Sequence, residues 1–134
     1  MSKGALFGFR YKKDEKLAVC HEEGDPGTLG REVAQFCVNN SLRVMRARFE
    51  KVALMEFKSG IKDLEEYMYK TMGYVPGVPY EKESFKYKYV INLNEAKIEF
   101  WRFNYRQWKL AAELEFNDFP GVDEAVEAMK AADA

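Results

Sequence analysis

Cysteine and histidine are nearly absent from this chain. Among 134 residues there are two cysteines, Cys20 and Cys37, and one histidine, His21. Two cysteines cannot form a disulfide framework, and a structural zinc site needs more thiolate and imidazole than these three side chains supply. Both cysteines stand among apolar residues, which predicts reduced core thiols. Charge of one sign is also lacking: 21 basic residues meet 22 acidic ones, for a formal net charge of −1. A nucleic-acid binder shows a basic surplus, so nucleic acid is an unfavoured partner. No apolar run approaches the roughly 20 residues of a membrane span. The opening MSKGALFGFRYKKDEK lacks the apolar core and cleavage pattern of a signal peptide. These absences predict a soluble, cytoplasmic protein with no membrane segment, no cofactor and no metal.

What is present is apolar and aromatic. Hydrophobic residues make up 47% and aromatics 15%, enough to exclude a disordered tail and to build one domain over 1–134. GALFGFRYK alternates, with Ala5, Phe7, Phe9 and Tyr11 on one side, and KLAVCH follows after a charged turn, as in a β-hairpin. After the loop EEGDPG, Thr28 reads as the N-cap of a helix carrying Leu29, Val33, Phe36 and Cys37. Asn39, Asn40 and Ser41 end that helix and cap a second, with Leu42, Met45, Phe49 and Val52 on one stripe. KVALMEF, at 51–57, fits either a helix end or a short buried strand. SGIKDLEEYMYKTMG predicts a third helix, and YVPGVPYEKES a loop.

The last third changes period from helix to strand. Tyr87, Tyr89, Ile91 and Leu93 share a face, NLNEA turns the chain, and KIEFWRF returns it. The next strand alternates most cleanly, with Trp108, Leu110, Ala112, Leu114 and Phe116 inward and Lys109, Glu113 and Glu115 outward. FPGVDEAVEAMKAA closes with a helix. The expected fold is α+β: an antiparallel sheet, made of the N-terminal hairpin and three C-terminal strands, with helices packed on one face.

The stretch CHEEGDPGTLGREV gathers His21, Glu22, Glu23 and Asp25 with Thr28 and Arg31 at a helix entrance. Magnesium could use two of the carboxylates, but the spacing is not that of a calcium loop. A helix N-terminus favours anions, yet the three acids repel phosphate, so a nucleotide-like ligand would present its base or ribose there. GDPGTLG lacks the Gly-Lys-Ser/Thr end of a phosphate-binding loop. In an enzyme, His21 and Glu23 would share a strand face and act as acid and base, while Cys20 points away. A plain strand-to-helix turn accounts for the same residues.

Several of these residues carry a resemblance. His21, Gly24, Asp25, Pro26, Leu29 and Gly30, with the later YVINLNEAKIEFW, resemble a family of small uncharacterised bacteriophage and prophage proteins. That family has an N-terminal hairpin, a His-x-Asp-Gly-x-Pro-like loop and a Leu-Gly helix start. EEGDPG here departs from its usual loop order. The resemblance implies a phage or mobile-element origin, a bacterial host cytoplasm, and inhibition of a defence system as a fitting role.

Two surfaces remain. Arg43, Arg46, Arg48 and Lys51 crowd one helix, interrupted by Glu50, as on a solvated face. The aromatic strand set Tyr87, Tyr89, Phe100, Trp101 and Phe103 must cover both sheet faces, with Tyr87, Tyr89, Trp101 and Phe103 as interface candidates, and the side without helices would carry Trp101 and Phe103. The leading expectation is a non-enzymatic binding protein that engages a host protein or itself through these aromatics. The alternative is an enzyme or sequestering protein acting on a small nucleotide-like ligand through the 21–31 loop.

Overall fold

A computed structural model describes residues 4–20, 24–49, 85–104, 107–119 and 121–133. Five strands form one sheet: β1 (Gly4–Tyr11), β2 (Asp14–Cys20), β3 (Phe85–Asn92), β4 (Lys97–Asn104) and β5 (Gln107–Glu115), in the order β2-β1-β3-β4-β5. Three α-helices lie among the described residues: α1 (Arg31–Asn39), α2 (Leu42–Arg48) and α3 (Val122–Asp133). The class is α+β, as the alternation of periods predicts. The third helix expected in SGIKDLEEYMYKTMG, the loop after it and the ambiguous 51–57 segment lie outside the described residues.

The sheet is mixed rather than wholly antiparallel. β1 runs parallel to β3, while the other three seams are antiparallel. The cause is the path of the chain. β2 ends beside the start of β1, with Cys20 opposite Ala5, and β3 begins at that same end, with Phe85 opposite Gly4. A connection that leaves and re-enters at one end of the sheet must set β3 along β1.

The helices cover one face. Phe7, Phe9, Tyr89, Ile91, Ile98 and Phe100 are fully buried there, against Leu29, Val33, Phe36, Met45, Phe49 and Met129. Phe100 anchors the aromatic packing, 5.3 Å from the ring of Tyr89 and 5.8 Å from that of Tyr87. Burial of side chains this size contributes about 2 to 3 kcal/mol each. Ser41 caps α2 as its position predicts, its Oγ accepting from the Val44 backbone N–H at 3.2 Å. Thr28 does not cap α1. It lies within a single wide helical turn, Pro26–Gly30, so the helix proper starts three residues later, at Arg31.

That late start brings backbone close to the core. A Cβ on Gly30 would meet Tyr89 and Met129 side-chain atoms, each at 3.2 Å, so glycine allows α1 to sit down on the sheet. The Tyr89 hydroxyl then donates to the Gly24 carbonyl at 2.7 Å, fixing the loop from below. At its C-terminal end α3 is clamped through Asp133, which accepts from the Tyr87 hydroxyl at 3.0 Å and pairs with Arg102 at 3.0 Å. No helix among the described residues is long and apolar enough to cross a membrane.

Candidate functional site

The second face of the sheet, on which no described helix packs, is built differently. Among the described residues its apolar centre is Leu6, Leu17 and Val90, buried, with Trp101 and Trp108 partly buried over them. Trp101 follows Phe100 on β4 and so points to the opposite side, and Phe103 lies two residues further on the same side. Across the seam Phe103 pairs with Trp108, their rings 5.2 Å apart, and Trp101 pairs with Leu110. Trp101, Phe103 and Trp108 stay partly exposed, and Leu110 is 42% exposed.

A bulge makes this patch. Between Phe100 and Trp101 the register on β5 advances by two residues, from Ala112 to Leu110. The extra residue reverses the alternation of β5. Ala112, Leu114 and Phe116 pack on the helix-covered core as expected, but Trp108 and Leu110 move to the second face. The single inward row read from the alternation of β5 is therefore corrected to two half-rows on opposite faces.

A polar network borders the patch. Glu99, 4% exposed, accepts from Arg10 at 2.8 Å, from Asn92 at 3.0 Å and from the Trp101 indole at 3.1 Å. Burial acts to raise its carboxyl pKa, but hydrogen bonds from Asn92 and Trp101 and the charge of Arg10 outweigh it and hold the group below the usual carboxylate range. Arg10 also pairs with Glu15 at 2.7 Å. Burial works against its charge, and the two carboxylates prevail and hold its pKa above the ordinary value. Lys97 pairs with Glu113 at 2.6 Å and Glu95 at 3.5 Å. Lys88 is the exception. Its ammonium lies 4.8 Å from the Trp101 ring and 5.0 Å from the Trp108 ring, an arrangement that favours a cation. Burial holds its pKa below the ordinary lysine value, with Glu15 and Glu99 acting in the other direction.

Among the residues singled out from the sequence, Trp101 and Phe103 lie together on the second face. Tyr87 and Tyr89 do not join them. They are 2% and 0% exposed, on the helix-covered face, because their strand parity is that of Ile91 and Leu93. Their place in an interface is corrected to a place in the core, where burial and the bond to Asp133 push the Tyr87 hydroxyl up to about 12. In the loop, Thr28 Oγ1 reaches Asp25 Oδ2 only at 3.5 Å, and Arg31 turns away to pair with Asp123 of α3 at 2.7 Å. His21, Glu22 and Glu23 lie outside the described residues. Burial pushes the Cys37 thiol well above its ordinary value, so it stays protonated, as a core thiol does. Arg46 gives both Nε and Nη2 to the Leu93 carbonyl, at 2.8 and 2.6 Å, which withdraws it from any basic patch.

Lys88, Trp108 and Leu110 adjoin Trp101 and Phe103 on this face, with Glu99 buried beside them, and none is marked by a motif. Among the described residues no three His, Cys, Asp or Glu side chains gather to hold a metal ion. Comparisons with family models, curated proteins and solved structures gave no match.

Proposed function

We propose that this chain is a non-enzymatic binding protein that engages another polypeptide through the second face of its sheet, around Trp101, Phe103, Trp108 and Leu110. One observation carries the reading: three partly exposed aromatic rings and an exposed leucine adjoin on a face on which no described helix packs. Aromatic side chains offer large contact area at small conformational cost and dominate the centres of protein interfaces. Their setting fits that use, since paired charges at Arg10, Glu99 and Lys97 border the rings as a polar rim borders an interface core. A bacterial host protein as partner, with a defence system disabled as the consequence, extends this reading along the phage resemblance. The competing reading, a ligand site at the loop, loses Arg31 to its pairing with Asp123.

The test is a photo-crosslinking amino acid placed at Leu110, compared with the same group at Val38, which is 53% exposed on α1. Expressed in bacterial cells, the Leu110 position gives a discrete adduct and the Val38 position does not. Mass spectrometry of the adduct then distinguishes a different polypeptide from a second copy of this chain. Adducts only from Val38, or none from either position, would overturn the proposal.

A further inference from the structure

We propose that the partner presents a carboxylate to this face: an aspartate or glutamate, flanked by apolar residues, docks on the Lys88 ammonium between Trp101 and Trp108. This inference rests on the second face being the contact surface, and it names the chemistry that face selects.

The charges of the face carry the inference. Arg10 is paired with Glu15 and Glu99, and Lys97 with Glu113 and Glu95. Lys88, among the described residues, has no ion pair and no hydrogen-bond acceptor. Its ammonium lies against the two indole faces, and the charges of Glu15, Glu99 and Arg10 act on it without an ion pair. An ammonium has three N–H donors, and ring faces attract its charge without supplying lone pairs. The group is also partly withdrawn from water, which is why burial lowers its pKa. Yet no buried polar atom is left without a partner among the described residues, so the Lys88 nitrogen keeps an opening to solvent. A desolvated, reachable and unpaired cation in the middle of an aromatic patch is complementary to an anion.

The aromatic walls decide what kind of anion. Charge-assisted hydrogen bonds gain strength where apolar groups exclude water, and the indoles, Phe103 and Leu110 would do so around a carboxylate set in an apolar segment. A cationic partner is disfavoured, because Lys88 already fills the space between the rings that would receive it. A neutral amide matches the shape of the carboxylate without its charge. The face should therefore discriminate glutamate from glutamine at one position of a bound segment.

Two probes test this: the acetylated, amidated hexapeptide Ser-Leu-Phe-Glu-Leu-Ser, and the same peptide with glutamine for glutamate. Each is titrated into the isotope-labelled full chain, with the indole N–H signals of Trp101 and Trp108 as readout. The glutamate peptide is expected to bind about tenfold tighter, a difference of about 1.4 kcal/mol. Lys88→Met should bring that ratio to about one while leaving the glutamine peptide's affinity unchanged, and Lys88→Arg should keep it. Circular dichroism establishes that each variant is folded. Equal affinities in the unaltered chain, no binding of either peptide into the millimolar range, or a ratio that survives Lys88→Met would overturn the proposal. So would self-association that already covers the indoles, seen by sedimentation without peptide. A Leu110 crosslink to another polypeptide with a peptide ratio of one removes the carboxylate and leaves the contact face standing. The absence of any crosslink at Leu110 removes both.

Discussion

On the helix-covered face of the sheet, Phe7, Phe9, Tyr89, Ile91, Ile98 and Phe100 are fully buried against helix side chains. On the second face, drawn from the same strands, the buried apolar cluster among the described residues is Leu6, Leu17 and Val90, and the rings above them keep part of their surface. The first face is stabilised by close packing of apolar groups. The second combines a thin apolar layer with a network in which Glu99 accepts from three donors. A paired network of that kind favours one geometry and adds little net stability. The difference teaches that aromatic residues next to each other in sequence serve opposite purposes here: Phe100 holds the fold together, and Trp101 and Phe103 present a surface.

The largest effect should come from breaking the first face. Phe100→Ala removes a ring that packs on Tyr87 and Tyr89, and is expected to cost about 4 kcal/mol in chemical denaturation. Phe103→Ala, the same substitution three residues away, should cost only about 1 kcal/mol, because its ring is only partly buried. Equal costs would mean that the two faces are equally structural.

Next is the network itself. Glu99→Ala leaves Arg10 without its best-buried partner and should destabilise by about 3 kcal/mol. The sign with pH follows from the depressed carboxyl of Glu99. The unfolded chain takes up its proton at the ordinary glutamate value, so this contribution is fully present above about pH 5. It is lost as pH falls through the lower, folded value. Denaturation midpoints measured across that range should fall for the unaltered chain and lack that component in Glu99→Gln.

Much of the division between faces is legible in the sequence, and the rest fails for a definite reason. Period-two alternation groups Ala5, Phe7 and Phe9, and Tyr87, Tyr89 and Ile91, each on one face of its strand, and the structure agrees, but alternation does not say which face the helices cover, so Tyr87 and Tyr89 belong to the core and not to the expected interface. The parity of Trp101 and Phe103 is equally plain. The parallel seam of β1 and β3 is invisible to alternation, since it depends on the route of the chain between β2 and β3. β5 misleads because it alternates without a break from Trp108 to Phe116. Its register counted back from Gln107, opposite Asn104, sets Trp108 with Phe103, whereas counted from Phe116 it sets Trp108 in the core. The two counts conflict by one residue, and that conflict is the bulge. Lys88 and Glu99 carry no motif at all, because what distinguishes them is the partner that strand order supplies from a distant part of the chain.

A smaller effect lies where the first face meets the loop. Tyr89→Phe keeps the ring and deletes the hydroxyl that donates to the Gly24 carbonyl. A buried bond of this type contributes about 1 to 2 kcal/mol, including the carbonyl left unpaired. The thermal midpoint should drop accordingly, and the peptide titration at Trp101 and Trp108, on the other side of the sheet, should not change. A shift there would couple the faces.

The smallest effect on stability should belong to an exposed residue of the proposed contact surface. Leu110 is 42% exposed on an edge strand and lies opposite Trp101. Leu110→Thr introduces a β-branched side chain suited to a strand, removes apolar area that water already reaches, and deletes no hydrogen bond. Its stability should stay within about 0.5 kcal/mol of the unaltered chain. Peptide affinity should nonetheless fall several-fold, because threonine breaks the apolar border that screens Lys88 from water. A variant as stable as its parent but deficient in binding separates the two faces in one measurement. If Leu110→Thr instead unfolds the chain, the patch is a second core, and the faces differ only in how completely they are covered.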